Sequence, residues 1–153
     1  MNALFKKLNF KDQPSILSVN HPASFQKELD DMSSITSILT DVDQVGRISF
    51  ALVFVVKQAE VDQLIKQIAP KLEPDAVLWF CYPKGTSKRY TCDFNRDTGW
   101  ASLGQYDLEP VRQVAIDEDW SALRFRNVDK IKQLTRRKDF ALTEKAKQRT
   151  TNQ

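Results

Sequence analysis

Glycine is scarce in this chain, and its placement excludes more than its number. The four glycines are Gly46, Gly85, Gly99 and Gly104, so none precedes residue 46. A glycine-rich turn after an early strand, the device that brings backbone against an adenosyl or pyrophosphate group, therefore cannot be built in the usual way. Histidine is reduced to His21, and cysteine to Cys81 and Cys92 with no Cys-x-x-Cys between them. A structural zinc site of the Cys/His kind cannot be assembled within one chain from such a set. Long apolar runs are also missing. The longest, Phe50–Val56, has strand length and falls far short of the roughly 18 residues that a membrane span needs. The first residues, Met1–Lys7, lack the apolar core and cleavage site of a signal peptide, which places the protein in the cytoplasm by expectation. No serine or cysteine stands in a nucleophile-elbow context, and Gly85-Thr86-Ser87-Lys88 lacks the spacing of a Walker loop.

What remains is the composition of an ordinary domain. With 153 residues, 41% apolar and 28% charged, the chain is long enough to bury one core. The net charge of +3 is unevenly spread. From Asn127 onward eight cations face three acids, a surplus of five that leaves residues 1–126 at −2. The expected division is a single α/β domain over 1–134 and a basic, disordered tail over 135–153.

The pattern along the chain alternates. Residues 3–10 predict a short amphipathic helix, Ser15–Val19 a strand, and Phe25–Met32 a helix capped by Ser24. The β-branched stretch Ser34–Thr40 predicts a second strand, followed by a turn-prone connector over Asp41–Gly46. Ile48–Val56 and Ala76–Tyr82 are continuous apolar runs between turn signals, as strands buried on both faces are. Between them Val61, Leu64, Ile65 and Ile68 repeat at helical spacing, which completes a strand–helix–strand unit. A short helix ending near Gly104 starts from Asp93 or Asp97. Val111–Ile116 and Trp120–Arg126 then form a hairpin across Asp117–Asp119, its second strand reading as solvated on one face and near the sheet's edge. A further helical turn is expected over Asp129–Leu134. The fold class expected is an open, mostly parallel twisted sheet with flanking helices, ending in an antiparallel hairpin.

This order of elements resembles the methyltransferase-type variant of the Rossmann fold. Within it, Phe50–Val56, Leu78–Ser87, Asn95-Arg96-Asp97 and Pro110–Arg126 resemble a small bacterial domain family of unknown function, over residues 4–127. The resemblance implies a methyltransferase-like shell and no assigned activity. The chain departs from true methyltransferases after the first strand, where Val19-Asn20-His21-Pro22-Ala23-Ser24 stands in place of their glycine-rich loop. Asp41 matches the position of a ribose-binding acid but reads more simply as a turn residue. No cofactor is expected.

In such sheets ligands sit at the carboxyl edge of the strands. The residues expected there are Asn20, Lys84, Gly85, Thr86, Arg96, Asp97, Asp117 and Asp119. Lys84 with the hydroxyls after it supplies donors for an anion, and Gly85 permits close approach of backbone. The competing reading is a structural lock between this loop and the acidic hairpin turn. No catalytic or metal-binding residue is assigned, and His21 before Pro22 reads as a loop residue. The expected function is a non-catalytic binding module for a small anion or a protein partner, with no membrane role. Two alternatives stand beside it. One is a nucleic-acid-associated protein using Lys84, Lys88, Arg89 and the basic tail, which the acidic body disfavours. The other is a small enzyme using Lys84 and Asp97.

Overall fold

The computed structural model describes residues 2–94 and 98–131. Helix α1 (Ala3–Lys7) precedes strand β1 (Ser15–Val19). A 3-10 turn (Ala23–Phe25) leads into α2 (Gln26–Met32), and β2 (Ser37–Leu39) follows. A second 3-10 turn (Val42–Gln44) connects to β3 (Ile48–Phe54), and α3 (Gln58–Ile68) crosses to β4 (Leu72–Pro83). The short α4 (Ala101–Gly104) precedes the hairpin of β5 (Leu108–Ala115) and β6 (Trp120–Asn127). The six strands form one sheet in the order β2-β1-β3-β4-β6-β5. The pairs among β2, β1, β3 and β4 are parallel, whereas β6 runs antiparallel to both β4 and β5. Strand β5 thus points the same way as β4, and the Asp117–Asp119 turn emerges at the carboxyl edge, as the topology expected from sequence requires.

Apolar residues cover both faces of the central strands. On one face Val53, Phe80 and Phe125 pack against Val61, Ile65 and Ile68 of α3 and against Trp100 and Leu103. On the other, Phe50, Leu52 and Trp79 meet Phe5 and Leu8 of α1 and Leu29 and Met32 of α2. This two-sided burial is the reason β3 and β4 read as unbroken apolar runs. Helix α1 has only five residues, too few to hold on propensity alone. It is anchored by buried Phe5 and by Trp79, whose indole N–H donates to the Leu8 carbonyl at 2.8 Å.

Several local expectations need correction. Ser24 caps nothing, because the chain enters α2 through the 3-10 turn and neither start carries a side-chain cap. Strand β2 shrinks to three residues, since the amides of Ile35 and Thr36 remain bonded to the Met32 carbonyl and delay the strand. Strand β4 begins at Leu72 rather than Ala76 and includes Pro74. Strand β6 lies near the edge as expected, between β4 and the outermost β5, but it has no solvated face. Its arginines had suggested a solvated face, whereas Trp120, Ala122, Leu123 and Phe125 are core. The helical turn expected from Asp129 is a 3-10 turn over Val128–Lys130. Its remainder beyond Ile131, and the basic tail, lie outside the described residues.

Candidate functional site

The loop leaving β4 folds back over the carboxyl edge and is pinned at both ends. At the hairpin, the Lys84 amide donates to the Asp119 carbonyl at 2.8 Å and the Ser87 hydroxyl donates to Asp119 Oδ1 at 2.9 Å. Ser87 Oγ in turn accepts the amides of Arg89 and Tyr90. Asp117 closes its own turn, its Oδ1 accepting the amides of Asp119 and Trp120 at 2.8 Å each. At the other end Asp93 Oδ1 accepts the first amide of α3, Gln58 N, at 2.7 Å. The Asp93 amide donates to the Val56 carbonyl. Glu60 completes the junction by accepting the amides of Val56 and Lys57.

Between these pins lies a cleft of about 520 Å³, lined by Tyr82, the Pro83–Ser87 turn, Tyr90–Cys92, Phe94, Gln113 and Ser121. Its floor is aromatic. Tyr82 and Phe94 stand 6.2 Å apart, and the buried Trp100 meets them at 5.6 and 4.9 Å. A polar strip crosses it: Gln113 Nε2 donates to the Tyr82 hydroxyl at 3.1 Å and to Ser121 Oγ at 2.8 Å. Lys84 is half-buried at the rim, and its ammonium has no ion pair or hydrogen bond among the described residues. A Cβ on Gly85 would meet open space, so that position is lined by solvent and not by packed chain. Cys92 is a poor nucleophile here. Burial pushes its thiol up, a backbone hydrogen bond from Phe94 pulls it down, and the Asp93 and Glu60 charges raise it further.

Of the residues singled out from sequence, Lys84, Gly85 and Thr86 share this cleft. Asp117 and Asp119 border a neighbouring groove with Ser24, Lys27 and Arg89. Asp119 joins the loop through the Lys84 amide and through the Ser87 hydroxyl, and neither bond uses the lysine's charge. Arg96 and Asp97 lie outside the described residues. Asn20 stands apart, at the end of β1 with β3 between it and β4. Tyr82, Gln113 and Ser121 were missed. They sit on three different strands, and only the register Tyr82↔Ser121 and Gln113↔Leu123 brings them together.

The end of β1 carries its own network. Asn20 adopts φ 60°, so the left-handed turn is made by asparagine without glycine. His21, which has no partner recognisable in sequence, has two in space: its Nδ1 lies 3.0 Å from Ser18 Oγ and its Nε2 2.9 Å from Gln26 Oε1. Pro22 has no amide proton, and its carbonyl accepts the Phe25 amide. Asp41 spends its carboxylate on the amide of Asp43, in the capping box of the turn it opens. These residues do not fit the adenosyl group that the fold class implies in its glycine-turn mode. Side chains stand where backbone must approach, and the acid at the ribose position is committed to its own turn.

No protein-family model and no curated protein matches the chain. Solved structures do. The N-methyltransferase NodS from Bradyrhizobium japonicum superposes with a TM-score of 0.51 at 18% identity, covering 81% of this chain and 91% of that one. An adenosylmethionine-dependent methyltransferase from Aquifex aeolicus gives 0.51 at 10% identity, over 82% and 88%. The chain therefore has a methyltransferase-like Rossmann-type fold. This finding corrects the expectation of a non-catalytic binding module for a small anion or protein partner. Both of these solved structures are methyltransferases by name, and the likeness itself is one of fold.

Proposed function

We propose that the chain is a small enzyme of the methyltransferase fold, with its substrate in the cleft at the carboxyl end of β4. The observation that carries this reading is the half-buried Lys84 ammonium, without a partner among the described residues, above a floor of ordered hydroxyls and aromatic rings. The substrate class that suits it is a small molecule with a flat apolar body against Tyr82 and Phe94 and an oxygen-bearing head towards Lys84. There the ammonium stabilises negative charge that develops on the head, in a place where flanking protein excludes part of the water. Gln113 donates to the Tyr82 hydroxyl and fixes its position at the cleft. The pinned loop keeps this geometry fixed before the substrate arrives. Because the end of β1 does not fit the adenosyl group, no step is routed through it. The free thiols of Cys81 and Cys92 support a reducing compartment, and so the cytoplasm, as its place of work. Among the described residues no helix is long and apolar enough to cross a membrane.

Turnover tests the reading. Purified protein is incubated with a small-metabolite extract, with and without added adenosylmethionine, and mass changes are followed by mass spectrometry. Wild type should convert at least one compound, and Lys84→Ala should reduce that rate by about 100-fold, the scale of one lost electrostatic donor. No conversion under either condition overturns the proposal.

A further inference from the structure

On the face of the sheet opposite the cleft, three arginines come together near the outer edge. Arg112 of β5 and Arg124 of β6 are direct cross-strand partners, and Arg126 follows two residues on, on the same side of β6. Val114 and Ala122 mark that side, since both belong to the core formed with α1 and α2. Like charges directly opposite one another across a ladder destabilise it. Among the described residues only one of the three makes an ion pair: Arg126 holds Asp75 in a two-pronged contact at 3.1 and 2.9 Å. Arg112 and Arg124 have no acidic or carbonyl partner among the described residues. Arg124 is half-buried, and its Nε is sealed from solvent and makes no hydrogen bond. Burial, and then the neighbouring Arg126, pull the Arg124 pKa down. Asp75 opposes them and Arg112 adds to the fall.

We infer that Arg112 and Arg124 form a binding site for a phosphate group. A phosphate oxyanion accepts from two guanidinium forks at once and relieves the repulsion that the bare pair sustains. Asp75 holds Arg126 in its own ion pair, which leaves Arg112 and Arg124 as the two guanidinium groups open to an anion. The site is distinct from the cleft, which opens on the other face through Tyr82, Gln113 and Ser121.

Phosphate of this kind comes either from a small phosphorylated molecule or from a nucleic-acid backbone, and the test separates them. Thermal melts of the full chain are recorded with inorganic phosphate and with sodium chloride at matched ionic strength. Retention of a short single-stranded oligonucleotide is measured alongside at low and at physiological salt. Phosphate should raise Tm saturably where chloride does not, or the oligonucleotide should bind in a salt-dependent manner. The first result assigns a small ester and the second a nucleic acid. In either case Arg112→Gln, at an exposed position, should weaken the response about tenfold, and Arg124→Gln should do the same. A response equal in wild type and Arg112→Gln, or no response to either probe, overturns the inference. The Lys84→Ala variant should respond as wild type does, so failure of the cleft reading is distinguishable from failure of this one.

Discussion

Gly99 joins backbone strain to packing in one residue. Its φ is 89°, and a Cβ built there falls 2.7 Å from the Phe94 ring and 2.9 Å from Gln58 Oε1. The Gly99 carbonyl also accepts from Gln58 Nε2 at 2.6 Å, which fastens this turn to α3. Gly99→Ala is therefore expected to destabilise the domain by about 1–3 kcal/mol and to disturb the cleft floor through Phe94. Urea unfolding would read the first effect, and the near-ultraviolet aromatic signal of the folded variant the second. Ser87 and Lys84 make a second contrast at this scale. Ser87→Ala removes a bond to the Asp119 carboxylate and should cost about 1–2 kcal/mol, whereas Lys84→Ala should stay within about 0.5 kcal/mol. A larger loss for Lys84→Ala in a thermal melt would make its side chain part of the lock. The thiols set a pH dependence. Burial pushes Cys81 well above the ordinary thiol value of 9.0. The unfolded chain loses that proton first, so the stabilisation is intact below about pH 9 and declines as pH rises above it. Denaturation midpoints from about pH 8 to about pH 10 should fall less steeply in Cys81→Ala than in wild type.

Among the elements, α1 shows how short pieces acquire structure. It contributes Phe5, fully buried against Phe25 and Phe50 at ring distances of 6.1 and 5.9 Å. Phe5→Ala should cost about 3–5 kcal/mol, and unfolding midpoints compared with wild type would check it. Strands β3 and β4 and helix α3 were legible in the sequence because their periods are set by burial, and burial leaves a pattern. The burial of β6 was not. Arg124 and Arg126 alternate with Leu123 and Phe125 just as a solvated face would, and only the ladder to β4 shows that the strand is interior. The candidate site divides in the same way. Lys84, Gly85 and Thr86 follow a strand whose end was readable, so their edge position could be inferred. Gln113 and Ser121 are ordinary polar residues in mid-strand. No local signal marks them, because what unites them with Tyr82 is register.

For the whole molecule, β4 is the seam between two kinds of sheet. It accepts a parallel neighbour, β3, on one side and an antiparallel neighbour, β6, on the other. The β5–β6 hairpin closes through local contacts, whereas β4 must find partners far along the chain in both directions, which is the slower kind of pairing. The outer margins of the sheet matter for a different reason. One margin is β2, only three residues long. The other is β5, where Pro110 has no amide to offer, the pairing slips between Pro110 and Arg112, and Arg112 adds a charge. Neither border gives a newcomer a straight row of amides and carbonyls on which to lay another strand. Crowded folded copies thus lack a template for growth by pairing border to border.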